Sequence, residues 1–173
     1  MDAFVFQRRI RDLVEPTVQR MGFDLVAVEL TGDTGRRVLR LSIDGPEGVG
    51  AGDCAAVSFR VSPLIDEADP LKGSYHLEVS SPGIERPVQR LDDFEKLAGF
   101  RMKIRLFEGH PRRRYSGRLA GVEDREVLVV VDGQEQRLDY ESIERAHLVL
   151  DLDEYERLPE ILFGSGALGE NNG

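Results

Sequence analysis

Leu77-Glu78-Val79-Ser80-Ser81-Pro82-Gly83-Ile84-Glu85-Arg86-Pro87 is the stretch that most restricts how this chain can be organised. Leu77 and Val79 alternate with Glu78, the pattern of a half-buried strand. Pro82-Gly83 then fits a type II turn, with Pro presetting φ at the second position and Gly accepting positive φ at the third. Pro87 keeps Arg86 out of the helical region, so the exit is extended. The expectation is a strand that stops in a rigid Ser-Pro-Gly connector between two bodies.

Residues 4–21 carry Phe6, Ile10, Leu13, Val14 and Met21 at helical spacing, with Gly22 as a stop and a kink or restart expected at Pro16. Residues 23–30 read as a strand with apolar residues on both faces. Residues 38–44 read as a cleaner one, with Leu39, Leu41 and Ile43 opposite Arg40 and Ser42. Residues 31–35 suit a hairpin loop between them. A second helix is expected over 51–65, with Cys54, Val57, Val61 and Leu64 on one face and Pro63 as an irregularity; residues 75–80 form a third strand. The order is α-β-β-α-β over a domain of residues 1–87, two helices covering one sheet face.

Past the connector, residues 92–97 read as a short helix ending at Gly99. Five short strands follow, at 101–107, 114–121, 126–131, 135–138 and 145–150, with a tight turn at Asp132-Gly133 and a helical turn over 140–143. Close spacing of short strands points to a small β-barrel over residues 88–150. The fold class is α+β: a two-layer domain, then a small barrel. Residues 151–173 read as an acidic, largely disordered tail, most of all 164–173.

The connector motif resembles the signature of the bacterial ribosome maturation factor RimP family. The order of elements around it is similar to that family's over about residues 3–150. The resemblance implies that the barrel is SH3-like and that the chain has no catalytic activity. It also implies a non-catalytic assembly factor that binds the immature small (30S) ribosomal subunit through ribosomal protein and 16S rRNA. Gly50 and Gly52, ahead of the second helix, depart from the bulkier or acidic residues common in that family.

The net charge of −9 argues against a simple binder of bare nucleic acid. More than half of that charge falls in residues 151–173, so the centre of the chain can still present a basic face. A single Cys excludes an intrachain disulfide and fits a reducing compartment. No apolar run reaches membrane-span length and the first residues lack a signal-peptide pattern, so a cytoplasmic monomer is expected.

Lys103, Arg105, His110, Arg112, Arg113, Arg114 and Arg118 form the one dense basic group. Arginine forks match phosphate oxygens and a loop can reach a groove, so Lys103, Arg105, Arg112, Arg113, Arg114 and Arg118 are the expected rRNA-binding residues. The competing reading is a solvated barrel face whose charge protects an edge strand. Glu78, Ser81, Pro82, Gly83, Glu85 and Arg86 are expected as a connector and partner surface, with a structural ion pair as the plainer role for the charged three. Asp151, Asp153, Glu154, Glu156 and Glu160 read first as a solvated tail.

Other chemistry fits poorly. Gly48-Val49-Gly50-Ala51-Gly52 places Asp53 where a dinucleotide fingerprint needs Gly, and lacks the Lys-Ser/Thr of a P-loop. A KH-type module needs Gly-x-x-Gly between two helices, whereas these glycines follow a strand. His76, His110, His147 and Cys54 lack metal-ligand spacing, Ser80 and Ser81 lack a nearby base, and no cofactor is expected. The alternative function is a protein–protein adaptor using the barrel as a peptide-binding module. Phe107, Tyr115 and Tyr140, with no Trp in the chain, make a poor aromatic groove for it.

Overall fold

The computed structural model describes residues 3–33 and 35–164. The chain divides into two units, Met1–Pro82 and Gly83–Gly173.

The first unit contains α1 (Ala3–Arg20), β1 (Asp24–Thr31), β2 (Arg37–Asp44), α2 (Ala51–Ala68) and β3 (Tyr75–Ser80). α1 buries Phe6, Ile10, Val14 and Val18, one stripe at four-residue spacing. It runs through Pro16 without restarting; Pro16 and Asp12, whose carbonyl loses its helical donor there, both lie on the exposed side. The sheet order is β1-β2-β3, with β1 antiparallel and β3 parallel to β2. The parallel pair is possible because α2 supplies the long return. Leu39, Leu41 and Ile43 of β2 are fully buried, as their alternation predicts.

A bulge between Leu25 and Ala27 explains the apolar run of β1. It puts Leu25 opposite Ile43 and Val28 opposite Leu41, so two residues three apart share the core face. α2 closes the core with Val57, Val61 and Ile65, while Cys54 packs at its margin. The glycines before α2 are accommodated by Asp53, whose Oδ2 accepts from Gly50 N at 2.8 Å.

The second unit contains α3 (Leu91–Lys96), β4 (Arg101–Leu106), β5 (Arg114–Glu123), β6 (Glu126–Val131), β7 (Gln134–Asp139), a single helical turn (Tyr140–Ser142), β8 (Ile143–Leu148) and α4 (Leu152–Phe163). Its five strands form one antiparallel sheet in the order β7-β6-β5-β4-β8. Met102, Ile104, Leu119, Val127, Val129, Ala146 and Leu148 point into a core with Phe94 and Leu97. Tyr140 meets Phe94 edge to face and donates from its hydroxyl to the Gln89 carbonyl at 2.6 Å.

Two sequence expectations change. The division falls at Pro82/Gly83 and not after Pro87, because Arg86, Pro87 and Val88 pair with β8. Leu148 N donates to Arg86 O and Val88 N to Ala146 O, both at 2.9 Å, around a Pro87–His147 bridge. The expected disordered tail is helical over Leu152–Phe163. Asp151 Oδ1 accepts from Glu154 N at 2.8 Å and Glu154 Oε2 accepts from Asp151 N at 3.0 Å, a reciprocal cap. Leu158 is then buried in the core of the second unit, with Leu162 packed beside it. The acidic composition concealed this Asp-x-x-Glu start and the Leu158/Leu162 pair. Residues 165–173, where the remaining tail expectation falls, lie outside the described residues.

Candidate nucleic-acid interface

β4 alternates strictly. Met102, Ile104 and Leu106 enter the core, so Arg101, Lys103 and Arg105 take the outer face. Strand pairing sets the neighbours. Across the β4–β5 ladder Arg101 lies opposite Arg118, Lys103 opposite Ser116 and Arg105 opposite Arg114. On the other side Lys103 lies opposite His147 and Arg105 opposite Arg145. Three adjacent strands thus present one basic face.

The six basic residues expected from sequence divide into distinct roles. Lys103 and Arg114 are exposed on this face, and Arg118 donates to the Gly99 carbonyl at 2.5 Å. Arg105 is committed to Glu144, with Nε to Oε2 at 2.7 Å. Arg113 turns to the same carboxylate at 3.2 Å and also donates to the Leu106 carbonyl. Arg112 folds over the Tyr115 ring, its guanidinium carbon 4.6 Å from the centroid, and donates to the Arg114 carbonyl. The consecutive arginines are therefore not one equivalent cluster. His110 is exposed in the β4–β5 loop.

Arg101, Arg145 and His147 complete the face and were not singled out from sequence. Arg101 follows from the same alternation as Lys103. Arg145 and His147 alternate with buried Ala146 and Leu148, but their adjacency to β4 depends on a pairing across some forty residues of chain.

The far end of the sheet has the opposite character. Glu126 lies opposite Asp139 on the outer face of β6 and β7, and Glu135 lies on the same face. Arg137 bonds Glu126 at 2.9 Å and Glu123 at 3.0 Å. Its guanidinium is held above its ordinary pKa by the Glu126 hydrogen bond first, then by the charges of Glu123 and Glu126. The sheet is electrically polarised, basic across β5-β4-β8 and acidic across β6-β7.

The connector residues separate as well. Gly83 has φ +68°, the left-handed conformation expected of the Pro-Gly turn. Ser81 and Glu85 are exposed and Pro82 is half-buried. Arg86 is 4% exposed, so its side chain is a buried structural group and not part of an accessible contact surface. Glu78 is exposed on the sheet face opposite the helices, where its Oε2 accepts from Arg40 at 3.0 Å. That pair lies within the first unit.

Tyr115 and Tyr140 are both half-buried against the core, and Arg112 and Arg125 respectively cover their rings. They do not form the open aromatic groove an adaptor would need. Burial, with the Asp53 charge second, pushes the Cys54 thiol pKa up, away from nucleophilic character. Among the described residues no group of three or more His, Cys, Asp or Glu is placed to hold a metal ion. Residues 13–85, from within α1 to just past the Pro-Gly turn, match the family model of the RimP N-terminal domain.

Proposed function

We propose that this chain, whose residues 13–85 match the RimP N-terminal domain, is a member of the RimP family and a non-catalytic assembly factor for the immature 30S subunit. The family match carries this reading, and it supports ribosome maturation as the process. The basic β5-β4-β8 face supports 16S rRNA as one contact. The net-acidic remainder, with exposed Glu78 and Glu85, fits a basic ribosomal protein as the other. Phe59 on α2, 79% exposed, offers that protein an apolar anchor.

An immature subunit has unseated proteins and mobile rRNA. A factor that binds that state more tightly shifts the population along the assembly path. The overall charge keeps affinity for free RNA weak, so tight binding requires RNA and protein together. We further propose that the second unit is an SH3-like barrel. The bulge between Leu119 and Gly121, and Gly117 placed against the Val130 carbonyl, are devices that let β5 bend sharply. No helix among the described residues is long and apolar enough to cross a membrane. We take the factor to act in the cytoplasm as a monomer.

Co-sedimentation tests the proposal. The full chain should travel with small subunits from ribosome-assembling cells and much less with mature ones. Lys103→Glu with Arg114→Glu should weaken that association at least tenfold. Equal binding to both particles would remove the maturation reading.

A further inference from the structure

The basic face contains like charges placed directly opposite one another. Arg101 faces Arg118, and Arg105 lies between Arg114 and Arg145. Like charges at opposed positions on neighbouring strands destabilise a sheet. Glu144 pairs with Arg105 and Arg113. The opposed Arg101 and Arg118 remain a like-charge pair, and such departures from favourable pairing concentrate where a surface has a binding role.

The chemistry of the face narrows what it can bind. Its outward residues are Arg101, Lys103, Arg114, Ser116, Arg118 and Arg145, with His147 half-buried at the Pro87 bridge. Phe, Tyr and Trp are absent from these positions. Single-stranded nucleic acid is held by stacking its bases on such rings. Phe100 and Tyr115, which flank these positions, pack toward the core, and Tyr115 is capped by Arg112. The face instead offers cations spaced about 5 Å across strands and about 7 Å along them. Ser116 places a hydroxyl beside Lys103, within the cationic field. Cations suit phosphates, and a central hydroxyl suits the 2′-hydroxyls exposed in the wide, shallow minor groove of an A-form helix. Beyond β5 the outer face carries Leu128 and Val130 with Glu126, Glu135, Arg137 and Asp139, which offers phosphate little.

We infer that the β5-β4-β8 face binds the backbone of double-helical RNA, across its minor groove, and does not read unpaired bases. This deepens the rRNA contact proposed above and rests on it.

The test uses the full chain with two fluorescent RNAs, a duplex of about 20 base pairs and an unstructured single strand of the same length, titrated at 50–200 mM KCl. The duplex should bind at least fivefold tighter. Lys103→Ala with Arg114→Ala should weaken duplex binding at least tenfold at the lowest salt. The slope of log K against log salt should fall by roughly 1.8. Ser116→Ala should reduce affinity for the RNA duplex and leave binding to a DNA duplex of the same sequence unchanged. A single strand that binds as tightly as the duplex would overturn the inference and leave the RNA contact standing. Binding that the double variant leaves unchanged would overturn both, as would no binding to either RNA at 50 mM KCl, where even a weak phosphate contact registers.

Discussion

Arg105 and Glu144 meet across the β4–β8 ladder, with Arg105 Nε donating to Glu144 Oε2 at 2.7 Å. The register shifts there: Arg105 pairs with Arg145 and Leu106 with Ile143, so Glu144 is the extra residue of a bulge. In an unbroken strand Glu144 would oppose the outward direction of Arg145. The bulge turns it to the cationic side, where Arg113 reaches it too. One carboxylate therefore offsets two neighbouring guanidinium groups, Arg105 and Arg113, the second of which also lies 3.9 Å from Glu108.

Replacing Glu144 by Gln should keep its size and much of its hydrogen bonding while releasing two guanidinium charges. The pair is part-exposed, so the stability loss should stay below about 1 kcal/mol. Binding to immature subunits should strengthen several-fold, with a steeper salt dependence. An unchanged salt slope, measured by sedimentation across a KCl series, would show that Arg105 and Arg113 do not face RNA.

Adjacent arginines should respond differently. Arg114→Ala removes an exposed cation and should weaken subunit binding with stability unchanged within about 0.5 kcal/mol. Arg113→Ala removes contacts to Glu144 and to the Leu106 carbonyl that tie the loop down. It should destabilise the second unit by about 1 kcal/mol and affect binding less. Paired binding and urea-denaturation measurements separate the two, and equal behaviour would restore the view of Arg112–Arg114 as one patch.

Gly117 should tolerate no side chain. A Cβ at that position would collide with the Val130 carbonyl of the neighbouring strand, and backbone cannot step aside as a flexible side chain can. Gly117→Ala should cost the second unit about 1–3 kcal/mol. Hydrogen exchange should accelerate across β5 and β6 while the amides of β1, β2 and β3 keep their protection.

Element type was legible in the sequence wherever periodicity was strong. Leu39, Leu41 and Ile43 announced β2, Met102 and Ile104 announced β4, and Pro82-Gly83 announced a positive φ that Gly83 has. What stayed hidden depends on pairing. Nothing local to Arg145 or His147 reveals that β8 lies beside β4, and nothing local to Glu144 reveals the bulge that re-aims it. Arg86 looked accessible because it sits among turn residues, yet strand pairing with β8 buries it. Three arginines in a row looked equivalent because alternation, loop geometry and a nearby carboxylate, which separate them, are not properties of the run itself. The helix at Leu152–Phe163 was a different omission, since its Asp151-x-x-Glu154 cap was in plain view and charge composition outweighed it.

That helix should matter to stability. Leu158 is 3% exposed in the core of the second unit, so Leu158→Ala should destabilise that unit by about 2–4 kcal/mol through lost burial and a residual cavity. A chain ending after Leu150 should lose at least as much. Thermal melts in which both changes are silent would return residues 151–163 to the role of a solvated tail.

The first unit carries a pH-sensitive contact at its α2–β3 junction. The Tyr75 hydroxyl donates to Asp66 Oδ1 at 2.9 Å. Burial first, then the hydrogen bond and charge of Asp66, push the Tyr75 phenol up to about 12 from its ordinary 10. Ionised Tyr75 would lose its donor and face a carboxylate, so the folded state favours the protonated form more than the unfolded chain does. The contact's contribution is therefore fully present below pH about 10 and disappears as pH rises through about 12. Tyr75→Phe should lower stability modestly at neutral pH, and the gap between variant and parent should close over that alkaline interval. Urea midpoints at pH 8, 10 and 11.5, followed by hydrogen exchange of β3 amides to confine the effect to the first unit, test the sign. A gap that widens with pH would mean that Tyr75 is not held protonated by Asp66.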